Sequence, residues 1–583
     1  MKYSGARILI ESLIEQGVDT VFGYPGAAVL NIYDEFRRYK NKIRHILVSH
    51  EQHAAHAADG YARSTGRVGV CIATSGPGAT NLVTGIATAF VDSVPVVAIT
   101  GNVSLSLLGK DSFQEVDIAG ITMPVVKHNW IVEDVKDLAE IVREAFIVAL
   151  SGRPGPVLID IPRDVSNEFC EYKSSGNRFA QLKQFADNSR AERLIEKTKR
   201  ETFNDDDIDR AAALIKDSAR PMIYAGGGVI RSGACGQLKN LAEILGAPVA
   251  LSLMGIGAIP GAHPLCTGLI GMYGTIASGM AVQKCDLLIA LGARFSDRVT
   301  GNPAEGGGKR FAENAKIIHI DIDPAEINKN IRCDAYITGD LKAALDRLIK
   351  KLPADKKPGW SNEINVWKAH TALAVQAQPE QRASEEIKSK NTAVINILSP
   401  RFIIKETARV LGDSAIVVTD VGQHQIWTAQ FYPFTRPRSF LSSGGMGTMG
   451  FGMGAACGAK IANQKTPVVL FTGDGSFRMN SAEMATMVKY KLPVLIIVFN
   501  NQTLGMLRQW QYAFFRKRYF ETSLENHGPD FIKLSDSYGV RGFRATNENS
   551  FVRALEKSAG ILASCKPALI EAVIDSDTQV IRE

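Results

Sequence analysis

Short apolar strands alternating with helical stretches, in three successive blocks, constrain this chain more than any other feature. The first block runs from residue 1 to about 170 and holds Thr20-Val21-Phe22, the runs at 43–48, 68–73 and 94–100, and Val157-Leu158-Ile159-Asp160. The second, at 206–352, holds Met222-Ile223-Tyr224-Ala225, Ala247-Pro248-Val249-Ala250, Leu287-Leu288-Ile289-Ala290 and Ile317-Ile318-His319-Ile320. The third, at 398–583, holds Ala415-Ile416-Val417-Val418, the runs at 468–471 and 494–499, and Ala568-Leu569-Ile570-Glu571. Continuous apolar runs of this length read as strands covered on both faces, and strand–helix alternation implies a parallel sheet between helix layers. The polar stretch at 171–205 and the charged, Pro- and Lys-bearing stretch at 353–397 read as linkers. A chain of 583 residues is too long for one core. The expected fold is α/β, with three tandem doubly wound parallel-sheet domains.

The third block carries the sharpest chemical signal. Gly473-Asp474-Gly475-Ser476 follows the strand at 467–471, the stretch at 481–490 has helical spacing, and Asn500-Asn501 ends the strand at 492–499. A glycine-rich turn between strand and helix aims N–H groups and the positive helix end at an anion. Asp474 offers one hard oxygen and Asn501 a second at the same sheet edge, few charges for a dication, which suits Mg²⁺ that keeps a phosphate partner. In the first block, Ser49-His50-Glu51-Gln52 lies between a strand and an Ala-rich helical stretch, which places the Glu51 carboxylate at a helix start.

Composition removes several classes of function. Apolar content of 45% and charged content of 22% are those of an ordinary globular chain. A net charge of +7 spread over the chain gives no nucleic-acid or membrane-surface footprint, and no apolar run reaches the roughly 20 residues that span a bilayer. The eight cysteines form no CxxC pair and read as reduced. The N-terminus enters an amphipathic segment with no leader pattern ahead of it, so a cytoplasmic location is expected.

The Gly-Asp-Gly and Asn-Asn elements, with 24 residues between Gly475 and Asn500, resemble the signature of thiamine diphosphate enzymes. Further motifs resemble the large, catalytic subunits of the acetohydroxyacid synthase (acetolactate synthase) family over nearly the whole chain. They include Gly23-Tyr24-Pro25-Gly26, Thr74-Ser75-Gly76-Pro77-Gly78-Ala79-Thr80-Asn81, Gly109-Lys110-Asp111-Ser112-Phe113-Gln114-Glu115, Gly152-Arg153-Pro154-Gly155-Pro156, Ser443-Gly444-Gly445-Met446-Gly447-Thr448-Met449-Gly450 and Gly505-Met506-Leu507-Arg508-Gln509-Trp510.

The resemblance implies a pyrimidine-binding domain at 1–170, a central FAD-type domain at 206–352 and a diphosphate-binding domain at 398–583. It implies a transferase of the branched-chain amino acid (valine and isoleucine) pathway that decarboxylates pyruvate. The hydroxyethyl unit joins a second 2-oxoacid, pyruvate or 2-oxobutyrate, giving 2-acetolactate or 2-aceto-2-hydroxybutyrate. The implied cofactors are thiamine diphosphate, Mg²⁺ and FAD. Glu51 would hydrogen-bond the aminopyrimidine, and Asp474, Asn501 and the carbonyl of Thr503 would hold the metal. Met449 would be the wedge that bends the cofactor, with Gly422, Gln423, His424, Gly447, Gly475 and Ser476 on its diphosphate side. Pro25, Thr74, Asn81, Gln114 and Met506 would line its pyrimidine end and the approach. Arg298 would bind the acceptor's carboxylate, beside an apolar wall of Phe113, Met272 and Trp510. Because the two cofactor ends fall in different domains, a homodimer or dimer of dimers with sites across its interface is implied, with a small regulatory subunit as a further partner.

In the middle block, Tyr224-Ala225-Gly226-Gly227-Gly228 after a strand is by itself a weak nucleotide signal. The resemblance extends it: Gly226, Gly227, Met272, Arg294, Asp321, Ile322 and Asp340 would hold a structural FAD. Some positions depart from the family's pattern. Ala27-Ala28 stands for Gly-Ala, Tyr273 for His, Ser296 for the first Asp of an Arg-Phe-Asp-Asp-Arg motif and Arg163 for Lys, and the sequence ends at Glu583 without the family's C-terminal extension. The competing readings are a catabolic acetolactate synthase without FAD and another pyruvate-using thiamine diphosphate enzyme.

Overall fold

A computed structural model describes residues 1–174, 203–301, 311–353, 360–377 and 398–580. The described residues form three six-stranded parallel sheets.

In the first unit β1 (Thr20–Gly23), β2 (Arg44–Leu47), β3 (Gly69–Ala73), β4 (Val96–Asn102), β5 (Asn129–Ile131) and β6 (Val157–Pro162) lie in the order β2-β1-β3-β4-β6-β5. Helix α1 (Glu51–Thr65) follows β2, and α2 (Pro77–Val91) follows β3. The central strands β3, β4 and β6 are buried along their whole length, which is why they read as apolar runs.

The middle unit has a different winding. Strands β7 (Pro221–Ala225), β8 (Val249–Leu251), β9 (Cys266–Leu269), β10 (Leu287–Leu291), β11 (Lys316–Asp321) and β12 (Ala335–Thr338) lie in the order β9-β8-β7-β10-β11-β12. This is the dinucleotide-binding order, whose topological switch point falls between the first and fourth strands. Its helices include α3 (Gly227–Arg231), α4 (Ile276–Lys284) and α5 (Ser361–Ala377). Helix α5 corrects the reading of 353–397 as linker throughout: Trp360, Ile364 and Trp367 are buried in the middle unit's core, and Thr371 hydrogen-bonds the backbone of Ala277. Charged runs on either side of that helix, at 355–357 and 385–390, masked its short apolar stripe. The linker expected at 171–205 and the rest of 353–397 lie largely outside the described residues.

In the third unit β13 (Ile416–Thr419), β14 (Phe440–Leu441), β15 (Val468–Gly473), β16 (Val494–Asn500), β17 (Arg541–Ala545) and β18 (Ala568–Val573) repeat the first unit's winding, β14-β13-β15-β16-β18-β17. Its helices include α6 (Gln423–Phe431), α7 (Gly452–Ala462), α8 (Asp474–Asn480) and α9 (Gly505–Phe514). Helix α8 begins at Asp474 itself, so the turn expected before residue 481 is replaced by a helix that starts directly at the strand end.

The first and third units meet along α1 and α7. A methyl group on Gly60 would overlap the backbone of Ala455, and one on Gly458 the backbone of Ala57, so glycine is what lets the two helices approach. All eight cysteines are free, four of them buried. No helix among the described residues is long and apolar enough to cross a membrane.

Candidate active site

Ligands in open parallel sheets bind beyond the carboxyl ends of the strands, at the point where the winding reverses. In the first unit that point lies between β1 and β3. Pro25 follows β1 and Thr74 follows β3, and the Thr74 hydroxyl accepts a hydrogen bond from Ala28 N at 3.3 Å. A Cβ on Gly78, in the first turn of α2, would sit 3.4 Å from Glu51 Oε1 and 2.7 Å from the Thr74 methyl, so these residues face one space. Glu51 opens α1, where the helix dipole favours its charge, and its Oε2 accepts from Asn81 Nδ2 at 3.0 Å. Gln114 closes the same mouth: it adopts a left-handed backbone, φ 59°, against Gly76. Phe113 next to it is 88% exposed in the single chain, whereas Met272 and Trp510, expected beside it, both lie against Arg298.

The third unit's switch point lies between β13 and β15 and gathers the second half of the expected residues. Asp474 Oδ1 accepts from Gly475 N at 2.9 Å, whereas its Oδ2 is buried with no partner; burial pushes this carboxyl up to about 7. The Thr503 hydroxyl and His424 Nε2 are likewise buried without partners, and burial drives His424 down to about 3, so its ring is neutral. Asn501 is held from both sides: its Oδ1 accepts from Thr503 N at 3.1 Å and its Nδ2 donates to Gln423 Oε1 at 3.3 Å. Gln423 is fixed in turn by Gln509 and the Thr578 carbonyl. Ser476 donates to the Val421 carbonyl at 3.1 Å. Gly422 and Gly473 both face the His424 ring, and a Cβ on Gly475 would lie 3.6 Å from Met449 Cε. Gly447, at φ 69°, turns the backbone that carries Met449.

Unpaired buried oxygens beside a floor of glycines fit a divalent cation and an anionic ligand. Among the described residues no cluster of three or more His, Cys, Asp or Glu side chains could hold a metal unaided. A lone carboxylate with amide and carbonyl oxygens suits a hard cation whose remaining ligands are phosphate oxygens.

A third cluster joins the middle and third units. The Arg298 guanidinium carbon is 5.6 Å from the centre of the Trp510 ring, and its Nη1 is 3.5 Å from Met272 Sδ. The exposed pair with Asp297, at 3.7 Å, is also present and leaves one edge of the guanidinium open. Tyr273 donates to Met506 Sδ at 3.3 Å, which brings α9 against the same wall.

At the middle unit's switch point, Gly226 and Gly228 pack on Gly292, whose backbone a methyl group on either would overlap. These glycines therefore serve the crossing of two turns as well as any ligand. Arg294 follows β10, with Nη1 on the Val91 carbonyl at 2.6 Å. Asp321 ends β11; burial raises its carboxyl to about 6, and its Oδ1 accepts from Asp323 N at 3.0 Å. Ile322 beside it is partly exposed. Asp340 caps the helix Leu341–Lys350 by accepting from Ala343 N, a local structural task that accounts for the residue without a ligand. The dinucleotide-type winding, a buried carboxylate at a strand end and an arginine across the switch point fit a nucleotide cofactor.

Two buried acids of this region are absent from the sequence reading. Asp420, just after β13, accepts from Gly450 N, Gly452 N, Thr472 Oγ1 and Asn480 Nδ2 and fixes the loop that carries Met449. Asp92, at the end of α2, accepts from Gly444 N at 3.0 Å and Gly445 N at 2.8 Å. The only sequence signal for either was a carboxylate placed at the end of an apolar run.

Comparison with known proteins matches each of the three units to one family. Residues 3–121 match the thiamine pyrophosphate enzyme N-terminal TPP binding domain, 208–348 the central domain and 420–572 the C-terminal TPP binding domain. The chain is 45% identical to an acetolactate synthase large subunit of Mycobacterium tuberculosis over 580 residues, which is 99% of this chain and 89% of the relative. It is 43% identical to the acetolactate synthase large subunit of Cyanidium caldarium over 583 residues, 98% of this chain and 93% of the relative. The corresponding protein of Porphyra purpurea is 42% identical over 577 residues, 97% and 92% of the two chains.

Proposed function

The chain belongs to the acetolactate synthase large-subunit family of thiamine pyrophosphate enzymes, and from that membership we propose how its residues divide the reaction. It is a thiamine diphosphate-dependent transferase that makes acetolactate: pyruvate loses CO₂, and its two remaining carbons join the ketone of a second 2-oxoacid, pyruvate or 2-oxobutyrate. The observation that most supports the assignment of residues is the buried, unpartnered Asp474 Oδ2 at the strand end next to Asn501.

When bound, thiamine diphosphate supplies a nucleophilic carbon and an electron sink. Glu51 would hold a proton at the aminopyrimidine ring nitrogen, oriented by Asn81. Asp474, Asn501 and the Thr503 carbonyl would hold Mg²⁺, with Gly422, Gln423, His424, Gly447, Gly475 and Ser476 around the diphosphate. Met449 would buttress the cofactor, and Pro25, Thr74, Gln114 and Met506 would line the approach and exclude water. Arg298 would orient the acceptor carboxylate, since its planar fork matches a carboxylate, while Trp510 and Met272 would receive the methyl or ethyl group. Phe113, exposed in the single chain, would complete that wall only from across a subunit interface.

Glu51 belongs to the first unit and Asp474 to the third, and in a homodimer, or a dimer of dimers, each site would take one half from each subunit. FAD would lie at the middle unit's switch point, on Gly226, Gly227, Met272, Arg294, Asp321 and Ile322. Its role would be structural, because the net reaction moves no electrons. A cytoplasmic place in branched-chain amino acid synthesis, with a small regulatory subunit as partner, completes the proposal.

The test is acetolactate formation from pyruvate with thiamine diphosphate and Mg²⁺, with and without FAD, for the wild type and for Glu51→Gln. FAD-dependent product that Glu51→Gln abolishes is the expected result. Undiminished product without FAD would remove the flavin assignment, and undiminished product from Glu51→Gln would remove the catalytic one.

A further inference from the structure

All three units converge on one turn of the first, at 91–93. From the first unit, Arg63 binds the Asp92 carboxylate at 3.0 Å as well as Asp59 and the Ser442 carbonyl. Arg153, also of the first unit, spans from Ser93 Oγ at 2.8 Å to Glu326 Oε1 at 2.9 Å and Asp323 Oδ2 at 3.3 Å in the middle unit. From the middle unit, Arg231 donates to the Asp92 carbonyl and Arg294 to the Val91 carbonyl. From the third unit, Gly444 and Gly445 donate their N–H groups to the Asp92 carboxylate, and Thr448 and Met446 lie on Thr88 one turn earlier. Asp92 is only 1% exposed, so these bonds are made in a water-poor setting where each is costly to leave unmade.

The two outer partners are the two cofactor sites. Arg231 ends the short helix that starts at the Gly226–Gly228 turn, and a Cβ on Gly227 would lie 3.1 Å from its Nη1. Its hydrogen bond goes to a carbonyl, and burial with the neighbouring Arg63 lowers its pKa to about 10. An anion at the glycine turn would relieve that unfavourable setting. A Cβ on Gly445 would lie 3.3 Å from Arg294 Nη2, so the same arginine that faces the middle unit's switch point touches the loop leading to Met449.

We infer that the turn at 91–93 is a coupling element, with Arg231 and Asp92 as positioning residues through which a dinucleotide diphosphate in the middle unit and the diphosphate cofactor of the third unit raise each other's affinity. The dinucleotide fixes Arg231 and Arg294, these fix the two carbonyls of the turn, and the Asp92 carboxylate then holds Gly444 and Gly445 and with them the loop of Met449. This gives a redox-idle flavin a thermodynamic task, and it rests on the flavin reading above.

The experiment is a pair of binding titrations on the full-length apoprotein, independent of turnover. The dissociation constant of thiamine diphosphate with Mg²⁺ is measured by tryptophan fluorescence without and with saturating FAD, and that of FAD by flavin fluorescence without and with thiamine diphosphate. Linkage requires one factor in both directions, expected at about 5- to 150-fold. Arg231→Met should weaken FAD binding by itself and, at saturating FAD, bring that factor close to one while thiamine diphosphate alone binds as in the wild type, and Arg231→Lys should restore part of it. Asp92→Asn, checked by thermal unfolding for a folded chain, should act in the same direction. Full coupling in Arg231→Met, or a wild-type factor of one with both cofactors bound, overturns the inference and leaves the flavin assignment standing. Failure of the wild type to bind FAD at all overturns both.

Discussion

The Arg298 guanidinium lies 5.6 Å from the centre of the Trp510 indole, joining a short helix of the middle unit to α9 of the third. A cation–π contact of this kind orients the guanidinium, whose planar fork would suit a carboxylate.

Arg298→Lys keeps the charge and loses both the stack and the second donor edge. The KM for the acceptor 2-oxoacid should rise about tenfold, the equivalent of about 1.4 kcal/mol. Trp510→Leu should change the ratio of 2-oxobutyrate to pyruvate used as acceptor, since one methylene in such a pocket is worth about 1–3 kcal/mol. Competition assays that follow both products measure each effect; an unchanged ratio in Trp510→Leu would move the acceptor wall elsewhere.

Gly505 starts α9 directly against Gln423 and Asn501, and a methyl group there would overlap the Gln423 amide oxygen. Gly505→Ala should therefore displace the residue that orients Asn501 and weaken Mg²⁺-dependent binding of thiamine diphosphate by about 10- to 100-fold, with the unfolding midpoint nearly unchanged. Titration of the cofactor at several Mg²⁺ concentrations reads this directly.

Gly458→Ala addresses stability instead. Its new methyl would meet the Ala57 carbonyl and the Tyr61 nitrogen, backbone atoms of α1 that cannot rotate away. Overpacking of this kind costs about 1–3 kcal/mol, so the urea midpoint should fall even without cofactors. A wild-type midpoint would mean that α1 and α7 cross more loosely.

Burial raises Asp321 to about 6, above the ordinary carboxylate range. The ionised form would accept hydrogen bonds from both ribose hydroxyls, and protonation replaces one acceptor oxygen with a donor and weakens the other. Flavin affinity should therefore be flat above about pH 6 and fall, by up to about tenfold per pH unit, below it. Asp321→Asn should bind more weakly and lose this pH dependence. Flavin fluorescence titrations between pH 5 and 8 compare the two.

Much of this was legible before any coordinates. The strands at 468–473 and 494–500 are buried on both faces, so nearly every side chain in them is apolar, and a one-dimensional pattern suffices to find them. Glu51, Asp474 and Asn501 were legible for a related reason: each sits at the end of such a strand or the start of the following helix, where the sequence changes character abruptly. The helix at Ser361–Ala377 was not, because only Trp360, Ile364 and Trp367 mark its buried stripe and it stands between the charge-rich runs at 355–357 and 385–390. The tasks of Asp92 and Asp420 were not legible either, since half or more of their partners are backbone N–H groups, which leave no trace in residue identity, and the rest are side chains distant in sequence.

By itself, then, the sequence determined the three parallel-sheet units and the strand ends where their chemistry collects, because local periodicity and turn residues follow from burial on both faces of a strand. The tertiary structure alone decided that Arg298 lies over Trp510, that Asp474 is left with an unpaired buried oxygen, and that Asp92 gathers three units on one turn. Contacts and desolvation of that kind depend on where distant segments come to rest, and a carboxylate's surroundings, unlike its identity, exist only once the chain has closed around it.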